Sequence, residues 1–295
     1  ISDKHSLAGY PLFNAPIEIA DTIKDLGYDV VDLAHNHILD SGLYGVKYTA
    51  KTFKDRGLDV VGVHVDKKRS EDRVLIKEVN GIKIAILAYS YGYNGMDANL
   101  TREERNNYLA DLDEEKMKEE IQRAEKEADV TIVMPQMGIE YELQPTEEQK
   151  VLYRKMIDWG ADVIFGGHPH VVEPAEVLEK DGDKKFIIYS MGNFISNQRM
   201  ERMDNKWPEQ GLLMDVTFEK SNDKTIIKTV KAHPTLVYSK LNGKCVNGIA
   251  LYDYKVMILE DFIVGGKHRD KLDEKMKKKV DIAYKEMMEH VNLKW

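Results

Sequence analysis

Between Asn14 and Phe165 this chain alternates amphipathic helical stretches with short apolar runs, and few folds accommodate that order. Residues 17–26 have helical spacing and are stopped by Gly27, and residues 28–34 follow as a strand. Residues 41–56 read as the next helix, with Gly57 as its C-cap, and 58–63 as the next strand. Asn80-Gly81, between the apolar runs 74–79 and 82–89, is the turn pair of a β-hairpin. Residues 91–112 are polar and Asn-rich and read as a long loop or lid, which in a compact domain points to function. A charged helix over 113–128, a strand over 129–134, a helix over 145–159 and a strand over 161–165 complete the alternation.

After Gly167 the pattern changes. Runs 171–178 and 186–190 form a second hairpin around a turn at 180–184, and 211–219, 225–232 and 248–259 add strands. Alternation followed by a run of strands predicts an α/β fold, with mixed sheets packed face to face and helices outside. Residues 266–295, a basic amphipathic helix containing methionines, stand apart from a body spanning 1–265. That helix either packs on the body or binds a partner.

The 295 residues are 42% hydrophobic, enough for a large core. A net charge of -8 with no long basic stripe argues against nucleic acid, and an anionic substrate would need a local site. Cys245 is the single cysteine, so there is no internal disulfide. That fits a reducing cytosol and equally the exported proteins that avoid cysteine. No run of 18 apolar residues is present and no signal peptide opens the chain. Ile1 in place of Met, and a polar first stretch, lead to the expectation that the numbering begins inside a longer protein, with an anchor or leader upstream.

Four of the nine histidines fall in two short blocks, His35-Asn36-His37-Ile38-Leu39-Asp40 and Gly166-Gly167-His168-Pro169-His170. Each block follows an apolar run, and sheet ends are where α/β proteins build their sites. Imidazoles, an amide oxygen and a carboxylate grouped there suit a divalent metal and a general acid. The alternative is that these histidines cap strands and hydrogen-bond loops. Asn36 can ligate through its carbonyl oxygen, His37 can give a proton to a leaving oxygen, and Asp40 can hold that imidazole in the useful tautomer. His168 and His170 would point to opposite faces of a regular strand, but on a loop they can converge on one or two metals. Glu140-Tyr141 either line the same cleft or form plain loop. Asn193, after Gly192, either borders the site or serves turn geometry. The segment 102–105 reads as solvated surface, while Arg199 and Arg202 lie on a loop that could meet an anionic substrate.

These blocks resemble the Asn-His and Gly-His-x-His blocks of calcineurin-like metallophosphoesterases, and more closely the CapA family of poly-gamma-glutamate capsule synthesis. Phe13-Asn14-Ala15-Pro16, Ala34 through Gly42, Gly138-Ile139-Glu140-Tyr141, Pro145-Thr146-x-x-Gln149, Gly160-Ala161-Asp162-Val163-Ile164 and Tyr189-Ser190-Met191-Gly192-Asn193-Phe194 carry the resemblance, in order, over about residues 11–200. The resemblance implies a four-layer α/β/β/α sandwich of metallophosphoesterase type, its N-terminal part missing, with a metal site at the sheet ends. It implies Asn36, His168 and His170 as ligands, and His37, backed by Asp40, as the histidine that assists the leaving group. Gln136, in Gln136-Met137-Gly138, stands where many relatives have His-Trp-Gly, so a weak amide ligand occupies a ligand position. His35 stands where asparagine is commoner; His35, Glu140 and Asn193 are expected to border the substrate cleft.

The family's N-terminal aspartate and glutamate ligands have no counterpart here and are expected upstream. A divalent metal (Mn, Zn or Fe) is therefore expected to be held weakly, or not at all, by these residues alone. Two function classes follow. One is a metal-dependent hydrolase or transferase acting on a phosphoester or an anionic capsular polymer. The other is a non-catalytic accessory protein that keeps the fold and binds or guides that polymer. The histidine blocks favour the first and Gln136 the second. A cytosolic phosphatase is a third reading. Expected partners are the polymer or phosphoester and other capsule-synthesis membrane proteins, at the extracellular face of the cell membrane.

Overall fold

The computed structural model describes residues 1–65, 73–222, 224–246 and 248–295. They divide into two compact units. One holds Ile1–Met137 and Arg154–Ile164, the other Gly138–Tyr153 and Phe165–Trp295, so the chain crosses from unit to unit three times. The elements along the first stretch are α1 (Glu18–Asp25), β1 (Val30–Asp32), α2 (Gly42–Lys54), β2 (Asp59–Val61), β3 (Leu75–Val79), β4 (Ile82–Ser90), α3 (Arg102–Tyr108), α4 (Glu114–Glu127) and β5 (Val130–Gln136). Helix α5 (Glu147–Trp159) and strand β6 (Val163–Phe165) follow.

In the first unit, α2 buries Val46, Ala50 and Phe53, one stripe of the helix, against Leu39, Leu58 and Val60. Strands β1 and β2 pair in parallel, and Ala34 and Val61 at their ends pack on Ala88 of β4. The β3–β4 hairpin turns at Asn80 and Gly81, both at positive φ, as the Asn-Gly pair predicts. Strands β4, β5 and β6 run parallel, in register from Ile84↔Val130 to Ser90↔Gln136. Two polar residues, Ser90 and Gln136, therefore finish neighbouring parallel strands side by side.

Residues 91–112 are not a plain loop. They contain a short 3-10 turn (Met96–Asn99) and α3, whose start carries a reciprocal cap between Thr101 and Glu104. Arg105, expected on solvated surface, bridges Asp97 at 2.6 Å and Asp111 at 2.8 Å.

The second unit contains the antiparallel hairpin β7 (Ala175–Lys180) and β8 (Asp183–Ile188) and a three-stranded antiparallel sheet, order β11-β10-β9. Strand β9 is Gln210–Ser221, β10 is Lys224–Val246 and β11 is Ile249–Ile258. The long β10 pairs with β9 along its first half and with β11 along its second, with a register shift between Leu241 and Cys245. The C-terminal helix α6 (Glu274–Val291) buries Val280, Ala283, Met287 and Val291, and packs on Leu236, Met257 and Leu259. Ion pairs Lys279–Glu209 and Lys206–Glu286, both 2.6 Å, tie it to the segment ahead of β9. Among the described residues no helix is long and apolar enough to cross a membrane. The mixed α/β class read from the alternation is the class the chain adopts.

Candidate functional site

In the first unit the site residues follow β1. Asp32 ends that strand and accepts the Ala34 N–H at 2.7 Å, and burial pushes its carboxyl up to about 7. The chain then turns through His35 to Asp40. Asn36 is buried, and its backbone N–H donates to Gln136 Oε1 at 2.8 Å. Ser90 Oγ also lies 3.2 Å from that oxygen. An N–H must meet an acceptor, so the carboxamide of Gln136 can face only one way. Its Nε2 then donates to Asn36 Oδ1 at 3.3 Å, and Asn36 Nδ2 in turn donates to Asn94 Oδ1 at 3.2 Å. Asn94 Nδ2 ends the row, 3.4 Å from each ring nitrogen of His37.

His37 Nδ1 lies 2.9 Å from Asp40 Oδ2, an oxygen that also accepts the Phe13 N–H at 2.7 Å. The Phe13 ring meets the imidazole edge-on with centroids 4.7 Å apart. A carboxylate fixed beside Nδ1 keeps the proton on that nitrogen and leaves Nε2 as the working atom. His35 is exposed, and its Nδ1 accepts the His37 backbone N–H at 3.2 Å.

In the second unit the chain leaves β6 through Gly166, where an added Cβ would lie 1.9 Å from the Tyr189 carbonyl oxygen; only glycine fits. His168 (φ 101), His170 (φ 63) and Tyr141 (φ 68) all sit in the left-handed region. Such positions cost about 1–3 kcal/mol each and cluster at functional sites. The Tyr141 N–H donates to the Pro169 carbonyl at 2.7 Å, and the Tyr141 ring stacks on His170 with centroids 5.8 Å apart. Asn193 Nδ2 donates to Gln198 Oε1 and to the Pro208 carbonyl, each at 2.9 Å, so its oxygen faces His170 Nδ1 at 2.9 Å. His170 thereby carries its proton on Nδ1 and its lone pair on Nε2. Gln198 Nε2 closes the arrangement by donating to the Tyr141 hydroxyl at 2.9 Å. The His168 ring lies 6.3 Å from that of His170.

Behind this loop Glu173 is fully buried. Gln149, whose oxygen takes the Thr146 N–H at 2.8 Å, donates to Glu173 Oε2 at 2.9 Å. Burial pushes Glu173 up to about 7. Glu140 is exposed, and the Arg199 guanidinium lies 4.4 Å over the Tyr252 ring.

The residues expected from the sequence thus gather in two groups: His35, Asn36, His37, Asp40 and Gln136 on the first unit; Glu140, His168, His170 and Asn193 on the second. Sequence reasoning missed Ser90, Asn94 and Gln198. Asn94-Gly95 is a turn pair inside the Asn-rich stretch, which was a usable signal; Gln198 had none.

A divalent cation needs converging lone pairs and, for tight binding, negative charge. On the first unit Asn36 Oδ1 already accepts from Gln136, Gln136 Oε1 is spent on two donors, and Asp40 is spent on His37 and Phe13. Among the described residues no group of three or more His, Cys, Asp or Glu could hold a metal. The residues present do not fit a complete metal centre.

Residues 1–198 match the family described as Bacterial capsule synthesis protein PGA_cap. The chain belongs to that family. Both groups of site residues, from His35 to Gln198, fall inside the PGA_cap match; β9, β10, β11 and α6 fall outside it. The chain is 33% identical over 185 residues to the PGA biosynthesis protein CapA of Bacillus subtilis (strain 168), covering 63% of this chain and 47% of that protein. It is 32% identical over 193 residues to the capsule biosynthesis protein CapA of Bacillus anthracis, covering 64% of this chain and 45% of that protein. The PGA_cap chain thus spans about half the length of these curated relatives. Among solved structures it is similar to the calcineurin-like phosphoesterase YfkN from Bacillus subtilis, at 18% identity and a TM-score of 0.42, covering 73% of this chain and 66% of that one.

Proposed function

We propose that this chain is part of a cell-surface protein of poly-gamma-glutamate capsule synthesis, acting on an anionic envelope polymer or a phosphoester as a hydrolase or transferase. The observation that carries the reading is the His37–Asp40 pair, held at 2.9 Å and braced by the Phe13 N–H, in a PGA_cap chain. With Nδ1–H fixed on the carboxylate, Nε2 takes a proton from an attacking hydroxyl and returns it to a leaving oxygen. Asn94 keeps the ring in place. His168 and His170 would offer a divalent metal (Mn, Zn or Fe) two imidazoles, a set too small to hold it more than weakly. His35, exposed, is proposed to border a substrate at the His37 face of the first unit, and Glu140, exposed on the second unit, to border the His168–His170 loop; other capsule-synthesis membrane proteins are proposed partners.

A second reading, a non-catalytic protein that binds or guides the polymer, draws support from Gln136, whose hydrogen bonds hold Asn36 as structure rather than as a ligand. One experiment separates the two. Wild type and His37→Ala are incubated with poly-gamma-glutamate and with a nitrophenyl phosphodiester, with and without Mn²⁺, and both turnover and binding are followed. Turnover lost in the variant supports catalysis. Binding without turnover in either protein supports the accessory reading, and neither binding nor turnover refutes both.

A further inference from the structure

The row of carboxamides on the first unit has a direction, and that direction selects the ligand. The Asn36 backbone N–H fixes Gln136 Oε1 as acceptor at 2.8 Å, and every later step follows from it: Gln136 Nε2 to Asn36 Oδ1, Asn36 Nδ2 to Asn94 Oδ1, Asn94 Nδ2 towards His37. Turning any one amide over would set donor against donor or acceptor against acceptor at its neighbours, so the row holds as a unit. Each of the three NH2 groups spends one hydrogen on the row and keeps a second. The carbonyl oxygens are all directed back along the row. The last member, Asn94, is exposed, and His37 beside it is partly exposed.

A cation would find the reverse of what it needs here. Bound at about 2.1 Å from Asn36 Oδ1, it would confront the amide hydrogens of Gln136, and the one nearby carboxylate, Asp40, is committed to His37 and Phe13. An oxygen anion would find amide N–H donors. We infer that the Asn36–Asn94 row is a metal-independent oxyanion site, in which Gln136 takes the place of a cation and Asn94, beside His37, receives a carboxylate or phosphate oxygen on its second amide hydrogen. The inference rests on the proposed function only in taking the His37 face as the working face.

The test follows the side-chain amides of Gln136, Asn36 and Asn94 by NMR in the ¹⁵N-labelled full chain. Zn²⁺ is expected to leave the Gln136 and Asn36 amides unmoved. Inorganic phosphate and a γ-linked glutamate oligomer are titrated separately, and one or both are expected to shift the Asn94 amide and the His37 ring, unchanged by EDTA. A response to phosphate alone identifies a phosphoester as the natural source; a response to the oligomer alone identifies the polymer's carboxylates. Asn94→Asp, on an exposed side chain, is expected to weaken the anion about tenfold or more by turning a donor into a charge of the wrong sign. Gln136→Glu, which keeps the acceptor for Asn36 N–H and removes the donor, is expected to make the Asn36 region respond to Zn²⁺. Zn²⁺ shifting the wild-type Asn36 amide, or both anions leaving Asn94 still, overturns the inference. Turnover that depends on His37 while Asn94 ignores both anions would overturn it and leave the proposed function standing.

Discussion

Replacing Glu173 by Gln should make the protein more stable at alkaline pH and less stable, by about 1 kcal/mol, at acid pH. Glu173 is fully buried, and burial lifts its carboxyl from the ordinary 4.5 to about 7. The folded state therefore holds a proton that the unfolded state has released between those values. Stability from this group is complete below about pH 4.5, falls as pH rises towards about 7, and is flat beyond. A gap of that width corresponds to about 3 kcal/mol, at ~1.4 kcal/mol for each tenfold change in proton affinity. Glutamine removes the charge and keeps an oxygen to accept the Gln149 N–H. Its NH2 inherits the place of Glu173 Oε1, a buried atom with no hydrogen-bond partner among the described residues, which costs about 1 kcal/mol. The net expectation at about pH 8 is ~2 kcal/mol in favour of Glu173→Gln, or about 4 °C in Tm for a chain of this size. Urea unfolding of both proteins from about pH 4.5 to about pH 8 measures it. Parallel stability curves for the two, or a variant less stable at the alkaline end, would show that Glu173 is not held neutral by its surroundings.

Three further outcomes are expected. Gly166→Ala should cost about 3 kcal/mol or more, or prevent folding, because the added Cβ falls 1.9 Å from the Tyr189 oxygen; soluble yield and thermal unfolding report it, and a variant of wild-type stability contradicts the packing. Asn193→Ala should release His170 from its Nδ1–H form, so that ¹⁵N imidazole shifts move from a single tautomer in wild type to a mixture, at a cost of about 1–2 kcal/mol from the hydrogen bonds lost to Gln198 and Pro208. Asp40→Ala should cost about 1–2 kcal/mol in chemical unfolding, since it strips both His37 Nδ1 and the Phe13 N–H of their acceptor.

The alternation of elements was legible because each signal was local. Asn80-Gly81 is a turn in the sequence and a turn at two positive φ values in the structure, and the helical stripe of Val46, Ala50 and Phe53 survives folding unchanged. Residues 91–112 misled because polarity outweighed a cap that was present in Thr101-x-x-Glu104. The strand expected over 225–232 runs on through Pro234 to Val246 in β10, because β9 and then β11 supply pairing as far as Leu241 and again from Cys245. Tertiary context overrode local chemistry there. The His37–Asp40 pair was legible because its members lie three positions apart. The amide row was not, since Asn36 and Gln136 lie 100 positions apart and only the sheet register sets Gln136 beside Ser90.

The three crossings of the chain between units, at 137/138, 153/154 and 164/165, have a practical consequence for anyone dissecting this protein. No single cut yields either unit whole. A fragment ending at Met137 lacks β6, which pairs with β5 through Ile132↔Val163, and a fragment beginning at Phe165 lacks Tyr141, the residue stacked on His170. Two of the crossings also fall within three residues of a site residue, Gln136 in one case and His168 in the other. Isolating one set of histidines would mean rejoining the two segments of its unit, 1–137 to 154–164 or 138–153 to 165–295.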